Sequence, residues 1–446
     1  MSCLANGGST GVDTKMSLHE ESVEEFKGIL YKMQGVRRKI VVSIQQTGTP
    51  NTDDVEVLRS TLTLLEDERT NAESVRHMTA ASQSFSVNIK DEVIGLRKDI
   101  VFLERLCSAD PCTHRTVDSV FALVDLPDIL APYHPVSIDK FNEEMDNVVA
   151  FLTRLLSNLS TKIAFITDWD GTMKNYCSQY ATNLQPVYSA IGMAQFASCY
   201  TRLTAVLTAG PLRGPGILDL TALPIDGPIV FSGSWGREWW LGGRRVVYAD
   251  GISEEEVDTL ERFNDEMRSL LHEGEYSQFG LVGSGMQRKV DRLTLGVQTV
   301  CSQVEEDLSS RYQDAVKERM HRVDPNQQVL IFEKATDLEV EVCLHSSGSV
   351  WSKGDGVDRL LHATGNCLEE GRVLIAGDTK SDLPMLEYSL KHNPKETFAL
   401  FVGQSPSLKE SVRSLVSDDS RVCCISCPDV FHAALSKVLV ANKDID

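Results

Sequence analysis

The chain has 446 residues, 42% of them hydrophobic and 24% charged, an ordinary globular composition at a length that suggests roughly two to four structural units rather than one core. Forty-four basic against sixty-four acidic side chains give a net charge of −20, which argues against nucleic acid or anionic lipid as partner and requires any anionic substrate to be met by a local cluster of cations or by a metal. No apolar run approaches the ~20 residues of a membrane helix, the first residues show neither a secretory pattern nor, with Ser2, a myristoylation site, and a cytoplasmic protein is expected.

Residues 1–17 carry no periodicity and are expected to be flexible. From Val23 the apolar residues Phe26, Leu30, Met33, Val36 and Ile40 form a helical stripe, and Thr47 to Asn51 break it. A second stripe runs Val55, Leu58, Leu62, Leu65, and a third Val93, Leu96, Ile100, Leu103, Cys107, both stepping 3-4-3 like a coiled-coil seam. Three antiparallel helices in a small bundle over residues 18–108 are the economical reading. This bundle weakly resembles the microtubule-interacting-and-transport domain, and its seam leaves open a protein partner or self-association. Prolines 111, 127, 132 and 135 mark residues 109–136 as a linker, so the bundle is expected to be an independent module whose removal spares the rest.

Helical periodicity resumes at Phe141, Met145, Val148, Leu152 and Leu155. Short apolar runs then alternate with helices: Ile163 to Ile166, Ala205 to Leu207, Pro228 to Phe231, Val373 to Ala376, and Phe398 to Val402. Strands apolar on both faces imply a mostly parallel sheet covered by helices, a doubly wound Rossmann-like α/β unit. Eleven cysteines scattered along the chain do not form a disulfide framework, and Cys424-x-x-Cys427 reads as reduced thiols near a late strand rather than a metal or redox site.

Ligands of such sheets sit at the carboxyl ends of the strands. The first run ends in Asp168-Trp169-Asp170-Gly171-Thr172, and the fourth in Gly377-Asp378-Thr379-Lys380-Ser381-Asp382. Four carboxylates at two strand ends repel one another unless a hard cation lies among them, which suits Mg²⁺. Either fragment alone could be turn chemistry, since Asp and Gly favour turns. Both, each after a buried strand, are harder to explain that way.

Together these motifs resemble those of the haloacid dehalogenase-like phosphatases. The family's second motif matches Thr208, and its third, a lysine opening a helix, matches Lys353. The resemblance implies that Asp168 is the nucleophile, Asp170 the general acid and base, and Thr208 and Lys353 ligands of the phosphoryl group. It implies a Mg²⁺ held by Asp168, the Asp170 carbonyl and Asp378, with Asp382 either ligating through water or orienting Lys353.

Between Thr208 and Lys353 lie 144 residues, far more than a crossover needs, so a second unit is inserted there. The resemblance makes it an α+β cap over the substrate, bounded at 236–345 between core parts 137–235 and 346–446. Within it, residues 254–271 and 304–319 read as helices, and 293–300, 329–332 and 338–344 as strands. More closely, residues 150–440 resemble the trehalose-6-phosphate phosphatase family in its roundworm form with a helical N-terminal extension. Trp235 of Gly233-Ser234-Trp235-Gly236 stands where that family has His, and Gln287-Arg288-Lys289 stands for its Glu-x-Lys segment. Gln287, Arg288, Lys289, Gln298, Glu339 and Glu341 are the candidate sugar contacts, with Glu339 and Glu341 on one strand face. Phosphatases for other sugar phosphates, a phosphomutase, and an idle scaffold carrying a partner-binding bundle are the rival readings.

Overall fold

A computed structural model describes residues 21–80, 83–109, 116–177, 179–180, 184–272, 274–345 and 351–441; residues 1–17, expected to be flexible, lie outside them. The N-terminal region contains α1 (Val23–Thr47), α2 (Thr52–Leu65), the antiparallel hairpin β1 (Val75–Ala80) and β2 (Gln83–Asn88), and α3 (Lys90–Ser108). Ser22 and Glu25 form a capping box that starts α1, and Gly48 in the left-handed conformation ends it. The expected stripes point inward: Phe26, Leu30, Met33, Ile40, Leu58, Leu96 and Leu103 are fully buried. The hairpin was not expected. Its signal is the alternation Phe85, Val87, Ile89, all buried, which has the strand period rather than the helix period.

Two expectations for this region are overturned. Instead of a linker, the described part of 109–136 folds into α4 (Val120–Leu123), α5 (Leu126–Leu130) and short 3₁₀ turns, with Val120, Val124, Leu126 and Leu130 buried. Nor is the bundle a separate body, because its apolar side chains join those of the α/β unit in one continuous core. The join is also polar. Arg37 bonds Asp99 at 2.7 Å and Glu92 at 2.9 Å, and Asp99 accepts the Val187 N–H at 2.7 Å, at a helix start in the next unit. Lys98 pairs with Asp429 at 2.5 Å, which also accepts the Tyr188 hydroxyl at 2.9 Å.

The α/β unit runs from α6 (Ile138–Leu156) through β3 (Ile163–Thr167), α7 (Val187–Tyr200), β4 (Thr201–Leu207), α8 (Ile217–Leu220), β5 (Ile229–Gly233), and the hairpin β6 (Glu238–Leu241) and β7 (Arg244–Val247). The insertion adds α9 (Glu254–Leu270), β8 (Met286–Arg288), β9 (Arg292–Gly296), α10 (Glu306–Val323), β10 (Leu330–Glu333) and β11 (Glu339–Leu344). The chain returns through α11 (Lys353–Thr364), β12 (Val373–Gly377), α12 (Leu383–His392), β13 (Thr397–Val402), α13 (Pro406–Leu415), β14 (Val422–Ile425) and α14 (Pro428–Ala441).

The large sheet has the order β14-β13-β12-β3-β4-β5-β6-β7, parallel as far as β5 and antiparallel in its last two pairs. β6 and β7 therefore belong to the core sheet, although residues from 236 onward were expected in the cap. Trp239 explains the placement: fully buried, it joins the core cluster of one sheet face and donates from Nε1 to the Gly236 carbonyl at 2.8 Å. The cap proper has a four-stranded antiparallel sheet, β10-β11-β9-β8, with α9 and α10. None of the described helices is long and apolar enough to cross a membrane.

Candidate active site

β3 lies between β12 and β4, all parallel, so Asp168, Asp378 and Thr208 emerge together at one edge of the sheet. The Asp168 N–H donates to the Ala376 carbonyl at 2.9 Å, extending the ladder to the first carboxylate of the cluster. Gly171 is required by space as well as by its φ of +81°: a Cβ there would stand 2.1 Å from Asp378 Oδ2. Opposite, a Ser352–Asp355 capping box starts α11 and aims Lys353 into the cluster. Its Nζ lies 2.5 Å from Asp168 Oδ1 and 2.5 Å from Asp382 Oδ1. The other Asp382 oxygen accepts the backbone N–H groups of Asp378 at 3.0 Å and Thr379 at 2.9 Å. Both oxygens of Asp382 thus have partners, and its carboxylate orients the lysine and the turn that carries Asp378.

Asp168, Asp378 and Asp382 each offer an oxygen within 4.8 Å of the others, a set of hard donors suited to a divalent cation. Burial, the largest cause, raises the Asp168 carboxyl to about 6; the charge of Asp382 adds to this and Lys353 opposes it. Burial followed by the charges of Asp168 and Asp382 pushes Asp378 up to about 8. For Lys353 burial acts downward, but the two carboxylates outweigh it and hold the ammonium above its usual range. Asp170 reaches the same cleft and bonds the buried Lys174 at 2.5 Å.

The cleft has a volume of about 420 Å³ and is lined from both units. Asp168, Asp170, Thr208, Lys353 and Asp378 face it from the core; Gln287, Lys289 and Glu339 face it from the cap. Three of the candidate sugar contacts do not. Arg288 turns the other way along its strand to bond Glu261 at 3.2 Å. Gln298 staples the following loop, bonding the Val304 carbonyl at 2.8 Å and the N–H groups of Thr299 and Val304, each at 2.9 Å. Glu341 accepts from Arg292 at 2.9 Å and Thr294 at 2.8 Å and lies 3.5 Å from Lys289. Lys289 is buried, which lowers its affinity for protons against the opposing charges of Glu341 and Glu339.

Sequence reasoning passed over the segment after the first motif. Lys174, Tyr176, Cys177 and Tyr180 all line the cleft, Tyr176 with 58% of its surface exposed. Their signal was position, since a polar and aromatic loop directly after β3 and the Asp168 motif sits at the ligand-binding edge of a doubly wound sheet.

The family models that match describe a trehalose-6-phosphate phosphatase C-terminal region, over residues 165–431, and the N-terminal helical bundle domain of the same family, over residues 22–118. The chain is 53% identical over 426 residues to a trehalose-phosphatase of Brugia malayi, an alignment covering 94% of this chain and 86% of that one. It is 51% identical over 430 residues to a trehalose-phosphatase of Caenorhabditis elegans, covering 96% and 98%. A solved structure of a trehalose-6-phosphate phosphatase from Aspergillus fumigatus overlaps 65% of this chain and 97% of its own, at 15% identity and a TM-score of 0.37. With both of its folded regions matched and nearly its whole length shared with these relatives, the chain belongs to the trehalose-6-phosphate phosphatase family and is a phosphatase.

Proposed function

We propose that the protein hydrolyses trehalose 6-phosphate to trehalose and phosphate through an aspartyl-phosphate on Asp168. The observation that carries this reading is the meeting, in one cleft, of a buried carboxylate–lysine cluster from the core with Gln287, Lys289 and Glu339 from the cap. Asp168 attacks the phosphorus in line, and the Lys353 ammonium offsets charge on the phosphoryl oxygens. Asp170 protonates the departing sugar oxygen, then takes a proton from the water that cleaves the acyl phosphate. Thr208 donates to a phosphoryl oxygen. Asp168, the Asp170 carbonyl and Asp378 would hold Mg²⁺, which when bound supplies further neutralisation of phosphoryl charge. Asp382 acts by orienting Lys353. The reading is tested by phosphate release across a panel of sugar phosphates, with and without Mg²⁺; activity on other sugar phosphates equal to that on trehalose 6-phosphate would reject the substrate.

The metal reading also has a consequence for stability. Asp378 and Asp168 bind protons up to about 8 and about 6 in the folded chain, against a reference of 3.8. Between these values the folded state holds more protons than the unfolded one, so these groups make stability fall as pH rises from about 5 to 8. Mg²⁺ competes with those protons. Thermal unfolding in chelator should show that fall, and millimolar Mg²⁺ should flatten it by stabilising the protein most at the alkaline end. An identical pH slope in both conditions contradicts metal binding at these carboxylates.

Specificity is assigned to the cap, because Asp168, Asp170, Thr208 and Lys353 act at the phosphoryl group that all monoesters share. Lys289→Ala should lower kcat/KM for trehalose 6-phosphate by roughly 10-fold or more, corresponding to ~1.4 kcal/mol of transition-state stabilisation. Hydrolysis of a small aryl phosphate should change far less. Parallel kinetics on both substrates check this, and equal losses on the two would move Lys289 from the sugar to the phosphate.

A further inference from the structure

Ser234 and Trp235 both carry positive φ, 52° and 53°, and among the described residues no other two consecutive non-glycine residues do so. For a bulky aromatic residue this is a genuine outlier, and glycine would occupy it without cost. Gly236, the next residue, has a φ of +86° and packs so closely that a Cβ would stand 2.3 Å from the Cα of Gly356. A turn already built with glycine keeps a tryptophan at its most unfavourable position. Strain of this kind persists where the surroundings impose it, and it points to work done by the side chain.

The backbone of the turn is fastened to the phosphoryl end of the cleft. Ser234 N–H donates to the Gly210 carbonyl at 2.7 Å, and Trp235 N–H donates to the Thr208 carbonyl at 3.0 Å. The Trp235 carbonyl accepts Nε1 of Trp351 at 2.8 Å, two residues before Lys353. The indole points to the cap. Lys289 Nζ lies 4.8 Å from the ring centroid, and the Arg292 guanidinium 4.4 Å from it. Beside them the Val290 N–H donates to Ser234 Oγ at 3.1 Å, so the β8–β9 turn rests on this corner of the core.

Lys289 needs such a support. Its ammonium is a compact charge on a flexible stem, and its carboxylate neighbour Glu341, at 3.5 Å, stands closer to Arg292, at 2.9 Å. Because Lys289 is buried, the attraction of its charge for a ring face is little weakened by water. We propose that Trp235 is a positioning residue for specificity: its indole holds the Lys289 ammonium at the cleft, while its backbone is fixed to Thr208 and to the segment entering Lys353. One strained residue thereby sets the spacing between the groups that read a polyhydroxyl leaving group and those that bind the phosphoryl group. The proposal rests on the assignment of Lys289 to the sugar.

The test is a double-mutant cycle on the full chain. Trp235→Phe, Trp235→Leu and Trp235→Gly are each made alone and on Lys289→Ala, and kcat, KM and unfolding temperature are measured with trehalose 6-phosphate. Trp235→Phe keeps a ring face and should stay within ~3-fold of the parent, whereas Leu and Gly should each lose roughly 10-fold in kcat/KM. Glycine suits the backbone conformation, so its loss of activity should come with an unfolding temperature no lower than that of the Leu variant. On the Lys289→Ala background all three substitutions should matter by less than ~2-fold. Full activity in Trp235→Gly, or equal losses on both backgrounds, overturns the positioning role. A silent Lys289→Ala instead overturns the sugar assignment, and this proposal with it.

Discussion

Asp168→Asn should abolish turnover on every phosphate monoester, sugar or aryl, while the protein stays folded. The amide is isosteric with the carboxylate and keeps an oxygen for the Lys353 ammonium, which now stands 2.5 Å from Oδ1. It can also keep the contact with the Thr172 hydroxyl, 2.9 Å from Oδ2. On the proposed mechanism the variant lacks the nucleophile and one of the carboxylate charges that would hold Mg²⁺. Groups acting as one catalytic unit lose up to ~10⁶-fold in rate when a nucleophile is removed, so a fall of at least about four orders of magnitude is expected. Stability should move the other way. Asp168 is buried with its carboxyl raised to about 6, so at neutral pH the folded chain carries a charge it disfavours, and a neutral amide relieves that cost. The pairing of lost activity with an unfolding temperature, in chelator, equal to or above that of the parent separates chemistry from misfolding. Asp170→Asn should be milder, about 10²- to 10⁴-fold, because it removes proton transfer and leaves the nucleophile. Retained activity in Asp168→Asn ends the covalent mechanism.

The chemistry-bearing positions were legible because a doubly wound sheet gathers the residues just past its strand ends at one edge. Asp168, Thr208 and Asp378 each come directly after a short apolar run, and the parallel neighbours β12, β3 and β4 bring them together. The cap was less legible because its faces depend on register. Gln287 and Arg288 are adjacent on a three-residue strand, so one faces the cleft and the other Glu261. Glu339 and Glu341 do share a face of β11, but β9 sets Thr294 opposite Glu341 and the carboxylate is taken up locally. Gln298 lies beyond its strand, where periodicity says nothing. The docking of the bundle left a trace outside the seams themselves. Residues 187–197 of α7 are buried all round, and α14 is buried on nearly every face, so the sheet alone could not cover them. Arg37, Lys98 and Asp99 are polar positions on the bundle helices, which a stripe pattern assigns to solvent; all three are buried.

Deleting residues 1–136 should therefore leave a chain that does not reach the native state. The short helices of 117–133 cover α14, and α1 and α3 cover α7, so the deletion exposes two helices that have no polar face of their own. It also removes Lys98 from Asp429 and Asp99 from the start of α7. Native stability is only about 5–15 kcal/mol, and opening the apolar faces of two helices to water outweighs it at roughly 1.5–3 kcal/mol for each large side chain exposed. A point substitution isolates the polar part without the exposure. Lys98→Met keeps most of the side-chain volume but leaves the Asp429 carboxylate buried with only the Tyr188 hydroxyl and neighbouring His432 to help it. It should cost about 3–5 kcal/mol in denaturant unfolding, whereas Arg59→Ala, which breaks exposed pairs with Glu56 and Glu104, should leave the unfolding midpoint almost unchanged. The bundle also backs the cleft directly: Phe26 packs edge-to-face on Tyr180 with ring centroids 5.9 Å apart, and Tyr180 lines the cleft. Phe26→Ala should accordingly reduce activity as well as stability, although the residue is far from the motifs in sequence. The expectation fails if the truncated chain is soluble, unfolds cooperatively near the temperature of the full chain, and hydrolyses substrate at a comparable rate. In that case the network around Asp429 and Asp99 would be a contact between units that fold separately.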